Sequence, residues 1–145
     1  MGARLSGVIV AAVLLAVVLG TAGCWSAGGD THALDGTSWR LTGWTLSSLD
    51  PHDFTITAKF ADGRISGSSG VNAYGGPYSA GPGAAFSVGD LAVTAMGGSG
   101  PAMRAEQTFL TLLGAVRSFE ESGSRLTLFD EHGNASLVFR AAGAG

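Results

Sequence analysis

Cysteine is almost missing from this 145-residue chain, occurring once as Cys24. No internal disulfide can form, so a disulfide-stapled scaffold and a cysteine-based zinc site are both excluded. Lysine also occurs once, as Lys59, and charged residues make up only 13% of the chain. Eight Lys and Arg stand against eleven Asp and Glu, a formal net charge of −3. No run of basic residues exists along the sequence. That argues against nucleic acid as a partner, because phosphates are neutralised by clustered cations. It argues equally against polybasic attachment to anionic lipid. Catalytic chemistry is poorly provided for as well. His52 beside Asp53 has no nucleophile at a defined spacing. The Gly97-Gly98-Ser99-Gly100 run lacks the Lys-Ser/Thr pair of a phosphate-binding P-loop.

Long apolar runs are confined to the N-terminus. Arg4 precedes an apolar stretch from Val8 to Leu19, and Thr21-Ala22-Gly23 places small residues before Cys24. This is the pattern of a signal peptide over residues 1–23, cleaved between Gly23 and Cys24. The motif resembles a bacterial lipobox, which implies a diacylglycerol on the Cys24 thiol and an attached palmitate-type chain. An uncleaved signal anchor is the alternative, since about 18 apolar residues span a bilayer. Either way, the chain is expected to be exported and held at the outer face of the cell membrane or in the cell envelope. Residues 24–33 read as a Ser/Gly-rich tether, and His32 within it as solvated.

The remaining chain is patterned for strands. Trp39 and Leu41 alternate with Ser38, Arg40 and Thr42, and Gly43 is placed where a bulge would shift the register before Trp44. Residues 54–60 alternate most cleanly, with Phe54, Ile56, Ala58 and Phe60 on one face. Asp62-Gly63 predicts a tight hairpin turn into Arg64-Ile65-Ser66. Gly67, Gly70, Gly75 and Gly76 predict a glycine-rich corner that Asn72 fixes by bonding nearby main chain. Residues 78–85 read as a loop, 86–88 as a short strand and 91–96 as another, with Leu91 and Val93 on one face. One helix is predicted over 101–118. Pro101 lies in its first turn, an apolar stripe is formed by Phe109, Leu112, Leu113 and Val116, and Glu106 lies toward its positive end. Strands with Leu126 and Leu128, then Leu137 and Phe139, close the domain, and 141–145 form a tail. Asp130-Glu131-His132-Gly133-Asn134 is the best metal candidate by composition, but it reads as a hairpin turn.

In this order the features resemble the META domain family of HslJ-like bacterial lipoproteins. The resemblance is carried by Leu34-Asp35-Gly36-Thr37-Ser38-Trp39-Arg40-Leu41, by Phe60, by Gly63-Arg64-Ile65-Ser66-Gly67 and by Gly70-Val71-Asn72-Ala73-Tyr74. Leu91, Thr94, Met96, Met103, Glu106 and Phe109 continue it, and Leu137 and Phe139 end it. It covers residues 34–140. The motif residues are Trp39, Gly63, Gly67, Gly70, Asn72, Tyr74, Thr94, Met96 and Glu106. The resemblance implies a small antiparallel, lipocalin-like β-barrel with one packed helix, which suits the seven or eight short strands read from the pattern. It also implies an envelope or secreted protein linked to stress tolerance, and it supplies no catalytic residues. Relatives commonly carry cysteines at the positions of Val71 and near Gly98; here apolar packing of Val71 is expected to replace that pair.

Three functions are in play. The first is a non-enzymatic, surface-anchored lipoprotein with a structural, stress-protective or protein-interaction role. It needs no cofactor and no metal, and its partners are the membrane, through Cys24, and an envelope protein. The second is a small-molecule binding module using the barrel mouth, with Trp39, Trp44, Tyr74 and Tyr78 as aromatic contacts. The third is a hydrolase using loop Asp, His and Ser residues.

Overall fold

The turn expected at Asp62-Gly63 is present in the computed structural model, which describes residues 31–45 and 47–143. Both turn residues take positive φ, 54° and 73°. That conformation matches a two-residue turn to the twist of its flanking strands. It joins β2 (Thr57–Ala61) to β3 (Arg64–Ser68), with Phe60 opposite Ile65. Ile56 extends the buried face of β2 through an isolated bridge to Ser69.

On the other side of β2 lies β1 (Thr37–Trp44). Its pairing with β9 (Ala135–Ala141) slips between Leu41 and Gly43, the shift that Gly43 foretold. Next come β8 (Arg125–Asp130) and β7 (Val116–Ser122). In the opposite direction β3 pairs with β4 (Ala73–Ala80), and β4 with β5 (Phe86–Val88). A bridge between Ala85 and Ser118, with Phe119 N–H donating to the Ala84 carbonyl at 2.9 Å, brings the two ends together. The eight strands in the order β5-β4-β3-β2-β1-β9-β8-β7 therefore form a nearly closed antiparallel barrel. A ninth, β6 (Ala92–Val93), pairs with β4 off this circuit.

Three sequence expectations are corrected. Residues 78–85 are not all loop, because β4 runs through Gly75, Gly76 and Pro77 to Ala80. Its burial alternates, with Tyr74, Gly76, Tyr78 and Ala80 inward. Glycine and proline hide that pattern from propensity, yet pairing on both sides holds the strand. Gly89 N–H donates to the Pro77 carbonyl at 2.8 Å. Proline cannot return that bond, which is why regular pairing with β5 stops at Tyr78–Val88. Secondly, the strand expected over 91–96 is reduced to the two residues of β6, and Val93 lies exposed. Only β4 supports it, and no layer covers its outer face. Thirdly, the helix is α1 (Gly100–Ala115), ending before residue 118. Val116 turns to extended geometry, and the residues after it take up pairing with β8. Ser99 caps the start, its Oγ accepting from Ala102 N–H at 3.2 Å.

The interior is filled by side chains. Leu41, Ile56, Phe60, Ile65, Leu128 and Phe139 are fully buried from five different strands. Phe109 of α1 meets Tyr74 of β4 edge-on at 5.3 Å and Phe139 of β9 at 6.4 Å. Those strands stand four places apart in the eight-strand circuit, on opposite walls. A ring touching both lies across one end of the barrel, so α1 closes that end. Thr31 and Ala33, read as the end of the tether, bond to the Ala80 backbone at the end of β4.

The close fit of β2 against β3 supplies a direct test. A Cβ on Gly67 would lie 2.3 Å from the Thr57 carbonyl oxygen, a backbone atom that cannot swing aside. Gly67→Ala is expected to cost about 2 kcal/mol through forced backbone displacement. Chemical denaturation would measure it, and a change below about 0.5 kcal/mol, the usual size of a neutral surface substitution, would contradict this packing.

Candidate functional site

The corner between β3 and β4 brings together residues from three separate stretches. Glu106 projects from the second turn of α1 and is buried. Its Oε1 accepts from the Ser69 hydroxyl at 2.5 Å and from Asn72 N–H at 2.8 Å, and its Oε2 accepts from Asn72 Nδ2 at 2.8 Å. The Val71 N–H adds a further donor. Burial by itself would raise the pKa of this carboxyl. The bonds from Ser69, Asn72 and Val71 outweigh that and hold it below its ordinary value of 4.5.

Asn72 uses every polar group it has. Its Oδ1 accepts from Met96 N–H at 2.6 Å and from the Thr94 hydroxyl at 2.9 Å. Its Nδ2 also donates to the Met96 carbonyl at 3.1 Å. Its main-chain carbonyl accepts from Ser69 N–H and faces the Ser69 hydroxyl, both at 2.9 Å. The single hydroxyl proton of Ser69 is thus set between that carbonyl and the Glu106 carboxylate. Gly70 shapes the corner through its φ of +116°, a conformation that side chains rarely adopt; a Cβ there would meet the Ala102 carbonyl at 3.6 Å, an ordinary contact.

The arrangement unites Gly70, Asn72, Thr94, Met96 and Glu106, and adds Ser69, which nothing in the sequence distinguished. Met96 takes part through its backbone, while its side chain is 64% exposed. Helix-dipole stabilisation alone therefore understates Glu106, which is the acceptor that fastens the corner to the helix. Chemically the carboxylate is ionised, shielded from water and saturated with donors. It is suited to locking three segments together, not to abstracting a proton.

The other motif residues lie elsewhere. Gly63 and Gly67 belong to the β2–β3 hairpin. Trp39 is buried, with Nε1 donating to Thr37 Oγ1 at 2.7 Å. The Tyr74 hydroxyl donates to the Thr57 carbonyl at 2.7 Å, and burial pushes its pKa well up. The Tyr78 hydroxyl donates to Asp35 at 2.6 Å, and Trp44 Nε1 donates to the Leu49 carbonyl at 2.8 Å. These four aromatics are built into the core and its margins and do not form a shared ligand platform. His52 pairs with Asp50 at 2.8 Å rather than with Asp53, on an exposed 3-10 turn. Asp130 Oδ1 accepts from both His132 and Asn134 N–H at 2.9 Å, which organises the hairpin turn and lowers the Asp130 pKa. Among the described residues no group of three or more His, Cys, Asp or Glu converges as a metal set. Gly23 and Cys24 lie outside the described residues.

A family model described as META domain matches residues 32–143. A solution structure of a protein from Burkholderia xenovorans is 27% identical, with a TM-score of 0.62, and the match covers 75% of this chain and 83% of that one. A DUF4847 family protein from Bacteroides vulgatus shares the fold at 14% identity and a TM-score of 0.55, over 74% of this chain and 94% of that one. Among curated proteins none matches the chain.

Proposed function

This chain belongs to the META domain family, and from that premise we propose that it is a non-enzymatic lipoprotein of the cell envelope with a structural, stress-protective or protein-interaction role. The observation that carries this reading is the commitment of its conspicuous polar and aromatic side chains to internal bonds. Glu106, Asn72, Trp39, Tyr74 and Tyr78 all hold the fold together. The Thr21-Ala22-Gly23-Cys24 sequence supports anchoring through a lipid on Cys24, with the domain displayed outside the cell membrane. Exposed Val93, Met96 and Met103 offer apolar contacts to an envelope protein partner. The ligand-in-the-mouth alternative has less support, because fully buried side chains fill the barrel and Phe109 covers one end.

Intact mass spectrometry on the chain extracted from its own membranes tests the anchor. The expected species begins at Cys24 and carries the mass of a thioether-linked diacylglycerol, which Cys24→Ser abolishes. A chain that keeps residue 1 and carries no lipid would overturn lipidation in favour of a signal anchor. A reproducible extra mass lost on denaturation would instead support the binding module.

A further inference from the structure

Three arginines that are scattered along the sequence fall into one row across the barrel wall. In the strand registers Arg40 of β1 lies directly opposite Arg140 of β9, and Arg140 directly opposite Arg125 of β8. All three are exposed, on the outward face. Directly opposed residues on neighbouring strands have Cβ atoms about 5 Å apart, so the row spans roughly 10 Å. Ser122 continues it on β7, opposite Arg125. Arg125 and Arg140 also line a depression of about 470 Å³ with Ser122, Thr127, Phe129 and Glu120.

The placement is unfavourable for folding alone, because like charges opposed across strands destabilise a sheet. The chain has more acidic than basic residues, yet none relieves the row. Among the described residues no Lys or Arg is ion-paired with a carboxylate. Glu120 is the one acid in the depression, and it stands opposite Thr127 rather than either arginine. Arg40 makes only a long contact, 3.5 Å, to the Phe54 carbonyl. Apart from that one contact, the row presents three planar guanidinium groups with their donors unspent, the geometry that takes phosphate oxygens in bidentate fashion. Neighbouring Ser122 and Thr127 hydroxyls supply further donors, and Phe129 an apolar floor.

We propose that this row is a binding site for phosphate-type oxyanions, centred on Arg125 and Arg140 with Arg40 at its flank. The same chemistry is offered by a soluble ligand with linked phosphates and by the phosphate headgroups of a lipid surface. The inference stands apart from the anchor on Cys24, since it uses only the barrel wall.

The test is calorimetric titration of the full chain, held in neutral detergent, with sodium pyrophosphate and separately with glycerophosphoglycerol, an anionic headgroup freed of its tails. Pyrophosphate binding that Arg125→Gln/Arg140→Gln weakens at least tenfold, while Arg64→Gln on another part of the wall leaves it within twofold, supports the site and a soluble ligand. Headgroup binding alone, with the same dependence on the row, supports the site and a lipid surface. Binding should also weaken as salt rises. The double variant should melt no lower than the parent, because it removes a like-charge contact, so lost binding will not reflect lost folding. No binding of either probe, or binding unchanged in the double variant, would overturn the proposal.

Discussion

Glu106→Gln should destabilise the fold by about 3 kcal/mol, the scale of losing bonds to a buried charged acceptor and stranding a donor. Every neighbour of this carboxylate is a donor: the Ser69 hydroxyl, the Asn72 and Val71 N–H groups and Asn72 Nδ2. An amide has one acceptor oxygen and must aim its NH2 at a donor in either orientation. Placed at Oε1, the NH2 faces Asn72 N–H; placed at Oε2, it faces Asn72 Nδ2. Turning the Asn72 amide over gives no relief, because its Oδ1 already accepts from Met96 N–H and Thr94. The loss falls at a junction of the β3–β4 corner, the segment after β6 and α1, so it should lower the melting temperature by roughly 15 °C in a domain of this size.

The pH dependence gives the same prediction a second reading. The folded-state pKa of Glu106 lies below 4.5, its ordinary value. The stabilisation from the ionised carboxylate is therefore fully present above pH 4.5 and is lost as pH falls through the folded pKa. The stability gap between parent and variant should be level near neutrality and shrink below pH 4.5. Asp50 and Asp130 also have lowered pKa values, but both proteins share them and the difference cancels. Urea unfolding across this range measures it. A gap under about 0.5 kcal/mol at pH 7, or one that widens in acid, would show that the corner does not depend on this charge.

A large effect of opposite sign is expected from Val71→Cys/Gly98→Cys. A Cβ built on Gly98 would lie 3.5 Å from Val71 Cβ, within the separation that a disulfide spans. The atoms now in its way are the Val71 methyl carbons, the nearer at 2.7 Å, and the first substitution removes them. The bridge would close the chain between residues 71 and 98. Loop-closure entropy for a segment of that length corresponds to about 3–4 kcal/mol. The oxidised variant should gain most of that against unfolding, and adding reductant should return it near or below the parent. No gain on oxidation would mean that the backbones at the corner and before α1 are not held in this register. The Val71 side chain fills the space beside Gly98, the apolar packing expected there.

What could be read from the sequence was what neighbouring residues decide among themselves. Asp62-Gly63 determined its turn because both residues tolerate positive φ. Alternation determined the inward faces of β1 and β2, and Gly43 the register slip before Trp44. Pro101 marked the first turn of α1, and the Phe109–Leu113 stripe its buried side, while the Ser99 cap emerged only in the structure. These were enough for a mainly β chain with one helix, and the barrel shape was what the META resemblance implied. β4 escaped notice because Gly75-Gly76-Pro77 has no strand propensity, and only pairing on both flanks makes it extended. The helix ended early because bonding to β8, more distant in sequence, competed for the residues after Val116. Ser69 looked like any corner serine until α1 carried Glu106 to within hydrogen-bonding distance. The arginines show the division most plainly. Spacing along the chain held no basic cluster, and that was true of the sequence. Strand register then set Arg40, Arg140 and Arg125 side by side, since in a barrel lateral neighbours are chosen by backbone pairing and not by distance along the chain.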